Sequence, residues 1–222
     1  MNEYEIEPVK GLPEDLPADE HMTWQGSPHW WSMARRTFRV QQFGLYFAAL
    51  IGVHQVFYYS SGGDIAGGIV SLAWQSGLAL FTLGILTGLA WLFARSTIYT
   101  MTNKRVVLRF GVAIPMMINL PFDRMHSADL RAFDDGSGDI ALRLEDGERI
   151  SYWALWPHAR PWNMSPVVPM LRNVPDATRV AGELATAVAA HRKDVRTNSA
   201  VSANRPPQES GARDLEQAGA LA

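Results

Sequence analysis

Apolar side chains come in two kinds of run along this chain, and the difference between them predicts its organisation. Residues 40–59 and 65–94 are almost continuously apolar, and Asp64 is the only formally charged residue between Arg39 and Arg95. A membrane-crossing helix needs about 20 such residues to span roughly 30 Å of hydrocarbon at about 1.5 Å per residue. The pattern predicts two spans, at 40–59 and 71–93, with residues 60–68 as the turn and the start of the second helix. The cluster Ser60, Ser61, Gly62, Gly63, Asp64 supplies the break. From Ser96 onward short runs rich in β-branched and aromatic residues take over: 97–101, 105–110, 116–120, 128–133, 139–144 and 149–153. Asn103-Lys104, Pro121, the cluster at 134–138 and Asp146-Gly147 divide them, a spacing that predicts an antiparallel sheet or open barrel. A helix is expected at 177–192, with Asp176 as its N-cap and Val180, Leu184, Ala187 and Val188 on one face to close the sheet.

The chain therefore divides into an N-terminal segment (1–39), a transmembrane hairpin (40–95), a sheet domain (96–193) and a tail (194–222). The tail is rich in Ser, Asn, Pro, Gln and Gly, cannot offset its ordering entropy, and is expected to be disordered. Arg35, Arg36 and Arg39 precede the first span, Arg95, Lys104 and Arg105 follow the second, and the connecting loop has neither Lys nor Arg. Basic residues near span ends stay on the cytoplasmic side, so both termini are expected there. Trp30, Trp31 and Trp91 would then lie at the inner interface, and Tyr58 and Tyr59 at the outer one. An acidic segment of about forty residues precedes the first apolar run, which does not fit a cleaved signal peptide.

Composition removes several function classes. The 222 residues are 47% hydrophobic and 19% charged, and a mean hydropathy of -0.07 averages over the segregation just described. With 20 basic against 22 acidic side chains the net charge is -2, which argues against nucleic acid as a partner. The absence of cysteine excludes disulfides, thiolate metal sites and a cysteine nucleophile. No glycine-rich phosphate loop and no histidine pair at metal-ligand spacing is present. Asp134, Asp135 and Asp139 lack the ligand alternation and terminal Glu of a calcium loop. Asp123 with His126, or Glu145 with His158, pairs an acid with a base but has no nucleophile or positioned third group. The expectation is a protein that is not an enzyme and holds no cofactor.

What remains are surfaces. Ala73, Gly77, Gly84 and Gly88 share one face of the second span; it packs either on the first span through Gly44 or Gly52, or on another membrane protein or a second copy as a homodimer. His54, the one titratable side chain inside the first span, is a candidate ligand for a chlorin magnesium or a hydrogen-bond partner of Gln55 or Gln75. Trp30, Trp31 and Phe38 with Arg35, Arg36 and Arg39 form either an amphipathic stretch in the inner headgroup layer or a simple stop-transfer flank. Trp153, Trp156, Arg160 and Trp162 are the residue types of a partner surface, although a small sheet also needs large side chains as filling. The acidic Glu14, Asp15, Asp19 and Glu20 read as a solvated lead-in rather than a docking strip.

The run Thr97-Ile98-Tyr99-Thr100-Met101-Thr102-Asn103-Lys104-Arg105-Val106-Val107, with Gly111, Ile118-Asn119-Leu120-Pro121 and the earlier Trp24-Gln25-Gly26-Ser27-Pro28, resembles the bacterial pleckstrin-homology-like (PH-like) membrane proteins. A narrower resemblance rests on the segment from Glu5 to Pro17, on Leu155-Trp156-Pro157-His158-Ala159-Arg160-Pro161-Trp162, and on Pro169-Met170-Leu171-Arg172-Asn173-Val174-Pro175-Asp176. These are similar to the photosynthetic-complex assembly proteins encoded beside the reaction-centre H subunit in purple bacteria, over residues 3–192. The resemblance implies an α+β membrane protein: a two-helix hairpin followed by a cytoplasmic PH-like sheet closed by a C-terminal helix. It further implies a multi-pass, non-enzymatic factor in the cytoplasmic membrane or its intracytoplasmic extensions, with reaction-centre and core light-harvesting subunits as partners. The rival reading is a PH-like lipid- or partner-binding module unrelated to photosynthesis, in which Arg35, Arg36, Arg39, Lys104 and Arg105 meet anionic lipid at about 1 kcal/mol each.

Overall fold

Two long helices leave the body of the protein side by side in the computed structural model, which describes residues 12, 16–145 and 151–203. A short helix α1 (Trp30–Ser32) runs into a π-helical turn, Met33–Thr37, and then into α2 (Val40–Ser60). After a tight turn α3 (Ile65–Ser96) returns, its first turn capped by Asp64, whose carboxylate accepts the Gly67 N–H at 3.0 Å. Two polar bonds tie the helices together, Gln75 Nε2 to His54 Nδ1 at 2.9 Å and Gln55 Nε2 to Ser71 Oγ at 3.0 Å. Of the two expected spans, only α3 is long and apolar enough to cross a membrane among the described residues, with a mean hydropathy of 1.9. Gln41, Gln42, His54 and Gln55 dilute the apolar character of α2, although none of its residues is buried. At 32 residues α3 is about 48 Å long, so it overruns the expected 71–93 at both ends.

The sheets lie below the helices. The first has the order β1-β2-β3-β4, all antiparallel, from β1 (Met22–Gly26), β2 (Ile98–Thr102), β3 (Arg105–Phe110) and β4 (Met116–Pro121). The second contains β5 (Met125–Ala132), β6 (Gly138–Leu144), β7 (Ala159–Met164) and β8 (Val167–Val174), in the order β5-β6-β8-β7. A last helix, α5 (Ala177–Ala203), covers the sheets through Val180 and Leu184, which join Tyr99, Leu108, Phe110, Leu120, Phe122, Ile140 and Leu142 in one core. Removing a methyl-rich side chain here, such as Leu108→Ala, costs about 2–5 kcal/mol.

Several expected boundaries change. Trp24-Gln25-Gly26, expected only as a motif ahead of the first span, is the edge strand β1, paired with β2 across the whole helical segment. The expected strand at 149–153 is replaced, where the chain is described, by a helical turn α4 (Tyr152–Leu155), because the Leu155 N–H bonds back to the Ser151 carbonyl and drives Leu155 into the core. Two further strands, β7 and β8, follow it; Pro161 sits in the edge strand β7, where a missing donor is tolerated. The helix expected to end at Arg192 continues to Ala203 through a stretch containing Arg, Lys and Ala, good helix formers. That takes ten residues from the expected tail, and 204–222 lie outside the described residues.

The segment before α2 is a packed joint. Met33 and Ala34 are fully buried against Ala90 and Ala94 of α3, and Phe38 meets Phe93 and Trp156 at 5.9 Å each. Its other flank is held to the second sheet: the His29 N–H donates to the Asn173 carbonyl at 2.8 Å, and Asn173 Nδ2 donates to Thr37 Oγ1 at 2.9 Å. Of its aromatic residues, Trp30 and Trp31, 43% and 42% exposed, keep the outward orientation that an amphipathic stretch predicts, whereas Phe38 is buried.

Candidate membrane-boundary site

At the C-terminal end of α3 a buried hydrogen-bond chain crosses from helix to sheet. Thr97 Oγ1 donates to the Phe93 carbonyl at 2.7 Å, so its contact with His158 Nε2 at 3.1 Å requires the imidazole to donate. Nδ1 is then the acceptor for the Tyr99 hydroxyl at 2.9 Å, and the Tyr99 oxygen accepts the Arg172 N–H at 3.0 Å. His158 is fully buried. Burial, reinforced by the Arg172 charge, pushes its pKa down to about 3, so it is a neutral structural link at cellular pH. Burial likewise raises the Tyr99 phenol above its ordinary range. His158 is therefore not paired with Glu145, and Asp123 faces His191 at 2.8 Å instead of His126.

A second knot fixes the β5–β6 turn. Asp135 accepts from Ser137 Oγ at 2.6 Å, from the Ser137 N–H at 3.1 Å and from Ser32 Oγ at 3.1 Å, and Arg36 pairs with it at 3.0 Å. The Ser137 hydroxyl bond is the main cause holding its carboxyl well below the usual carboxylate range. The Arg36 guanidinium also lies 3.7 Å above the Phe133 ring.

Between these two knots opens a cleft of about 1000 Å³. Arg35, Arg36 and Arg39 form one wall, Arg131 of β5 and Arg172 of β8 reach it from the sheet, and Asp134 and Asp139 are its carboxylates. Trp153 and Trp156 stand at the same cleft, 79% and 45% exposed. Trp156 is half-packed, edge-on to Phe93 at 5.7 Å, whereas Trp153 projects outward. Arg160 lies near Asp129 at 3.7 Å, and Trp162 falls in β7, its side chain outside the described residues.

Lys104 and Arg105 are elsewhere. Lys104 pairs with Asp19, and Arg105 Nε lies 2.6 Å from Glu20, whose side chain is buried and also accepts the Thr102 hydroxyl at 2.8 Å. Asp19 and Glu20 thus clasp the β2–β3 turn rather than trailing in solvent, while Glu14 and Asp15 lie outside the described residues.

In the helix pair, a Cβ built on Gly77, Gly84 or Gly88 meets nothing within 4 Å, so this face is turned away from α2. The buried residues of α3 are instead Gly68, Ala79, Ala90 and Ala94, the last two packed against Met33, Ala34 and Phe38. Of the two partners expected for His54, Gln75 is the one it meets: the Gln75 amide lies 2.9 Å from His54 Nδ1 across the helix pair. Among the described residues no three His, Asp or Glu side chains gather as a metal site.

Two antiparallel sheets closed by a C-terminal helix are the architecture that the comparisons match. The family described as bacterial PH domain matches residues 47–188, from within α2 to the first half of α5. The chain belongs to the bacterial PH domain family. A relative from Rhodobacter capsulatus, described as an uncharacterized 23.7 kDa protein in the puhA 5′ region, is 32% identical over 191 residues, covering 85% of this chain and 89% of the relative. No solved structure matches. The family match takes in α3 and both sheets but stops short of the lead-in that carries Arg35, Arg36 and Arg39. In this member of the family, then, one wall of the cleft is supplied by residues that precede the matched domain.

The sequence brought Arg35, Arg36 and Arg39 forward but not Arg131 and Arg172. Those two stand about 90 and 130 residues further along the chain, and only strand pairing carries them to the same place.

Proposed function

We propose that the protein is a non-enzymatic assembly factor for the photosynthetic reaction centre and its core light-harvesting complex, held in the cytoplasmic membrane by α2 and α3. The observation that carries this reading is the similarity over 89% of a relative described by its position in the puhA 5′ region, since puhA is a reaction-centre gene. A two-span hairpin with both ends cytoplasmic is part of the proposal, supported by topology. β1 precedes the helices and β2 follows them, yet the two pair in one sheet, so the intervening segment must cross an even number of times. If α3 crosses, α2 crosses with it, and Gln55 and His54 find polar partners in Ser71 and Gln75 within the pair. Partners would meet the open Gly77, Gly84 and Gly88 face in the bilayer and Trp153 outside it.

The test is a mild-detergent pull-down of tagged full-length protein from phototrophically grown membranes. Reaction-centre and core-antenna polypeptides are expected in the eluate, and Trp153→Ala together with Gly84→Leu should reduce their recovery severalfold while the protein still inserts. Recovery free of those polypeptides overturns the reading.

A further inference from the structure

The cleft beside the lead-in carries more positive charge than its neighbours neutralise. Five arginines face two carboxylates, Asp134 and Asp139. Arg36 is engaged by Asp135, but Arg35, Arg39, Arg131 and Arg172 make no ion pair among the described residues. The Arg172 Nε–H is buried without a hydrogen-bond partner among the described residues, and so is that of Arg36. Buried donors of this kind are rarely left unsatisfied, and a charged donor loses most. Backbone strain points to the same place: Arg39 has φ 54°, a left-handed conformation that glycine or asparagine adopts more cheaply, yet the position holds an arginine whose side chain lines the cleft.

We infer that this cleft binds the anionic headgroup of a membrane phospholipid. Its position selects lipid over other anions. Gln41 and Gln42, in the first turn of α2, line the same cleft, so it opens where the helix pair meets the sheets, and the exposed Trp153 and half-exposed Trp156 are side chains that favour the membrane–water interface. Guanidinium forks suit phosphate oxygens, which accept two parallel N–H bonds. The inference rests on α3 crossing the membrane and is independent of any role in assembly.

The experiment uses full-length protein in a neutral maltoside detergent, titrated calorimetrically with dihexanoyl phosphatidylglycerol, dihexanoyl phosphatidylcholine, inorganic phosphate and an oligoglutamate peptide. Phosphatidylglycerol is expected to bind at least tenfold more tightly than phosphatidylcholine and the two soluble anions. Arg39→Gln with Arg131→Gln should abolish that preference, and Lys104→Gln with Lys193→Gln should leave it within twofold of the starting value. Arg131→Gln alone, on the exposed edge of β5, serves if the double variant does not fold, with a threefold or greater loss expected. Equal affinity for the two lipids, or an equal loss in the lysine variants, overturns the site. Phosphate binding as tightly as phosphatidylglycerol overturns the lipid source, and tighter binding of oligoglutamate overturns it in favour of an acidic protein segment.

Discussion

Two basic clusters flank the helix pair in the sequence, and they end in opposite circumstances. Lys104 and Arg105 sit at the β2–β3 turn, one strand length, or about 17 Å, from the end of α3, and each has its own carboxylate in Asp19 or Glu20. Arg35, Arg39, Arg131 and Arg172 surround a cleft beside the helix pair and make no ion pair among the described residues. Equal charge in a sequence thus serves two ends, a clasp that closes an edge strand and a surface left open for an anion. What separates them is the neighbour that folding brings, not the residue type.

The sharpest way to break this contrast is to loosen the joint that presents the open cluster. His158→Ala removes a filled core position and two hydrogen bonds, and a loss of about 3–5 kcal/mol is expected in thermal or denaturant unfolding of the detergent-solubilised protein. The same residue sets a pH dependence. The imidazole titrates near 6.5 when unfolded and at about 3 when folded, so the unfolded state takes up the proton first. Its contribution is complete above about pH 6.5 and declines as the pH falls toward 3. His158→Gln should flatten that decline; an unchanged slope would show that another group controls it.

The closed cluster gives the next largest effect. Arg105→Ala leaves the Glu20 carboxylate buried with the Thr102 hydroxyl as its remaining partner, and about 2–4 kcal/mol should be lost, with β1 amides exchanging faster. Lipid preference should not change. The smallest effect has the opposite sign: Arg39→Gly relieves the left-handed backbone and should stabilise the fold by about 0.5–1 kcal/mol while weakening anionic-lipid binding. An arginine variant that lowered stability and lipid affinity together would erase the distinction between the clusters.

Much of the architecture was legible because it is local. Uncharged runs marked both helices, and short β-branched and aromatic runs divided by turn residues marked β2, β3, β4 and β6 to within a residue or so. β1 was not, since five residues carry little periodicity and their partner lies beyond both helices. β7 and β8 were hidden by Pro161, Pro166 and Pro169, which read as an irregular segment. For the site, three arginines of one wall were visible as a cluster, whereas Arg131 and Arg172 were isolated cations until the second sheet aligned them. The role of Asp135 was equally hidden, because Ser32 and Arg36 lie about 100 residues away.

The pairing of β1 with β2 also orders events during synthesis. Gln25 and Thr100 are 75 residues apart, a stretch a ribosome covers in about 4–15 s, and throughout that interval β1 has no strand to join. The first sheet can close only after the whole helical segment has been made. With α2 and α3 crossing the membrane as proposed, a polypeptide that fails to return would leave its first strand across the bilayer from the second, with an open edge and the Glu20 carboxylate without Arg105. Under that proposal, folding of this domain would act as a proofreading step on membrane insertion, in which a misinserted chain identifies itself by remaining unfinished.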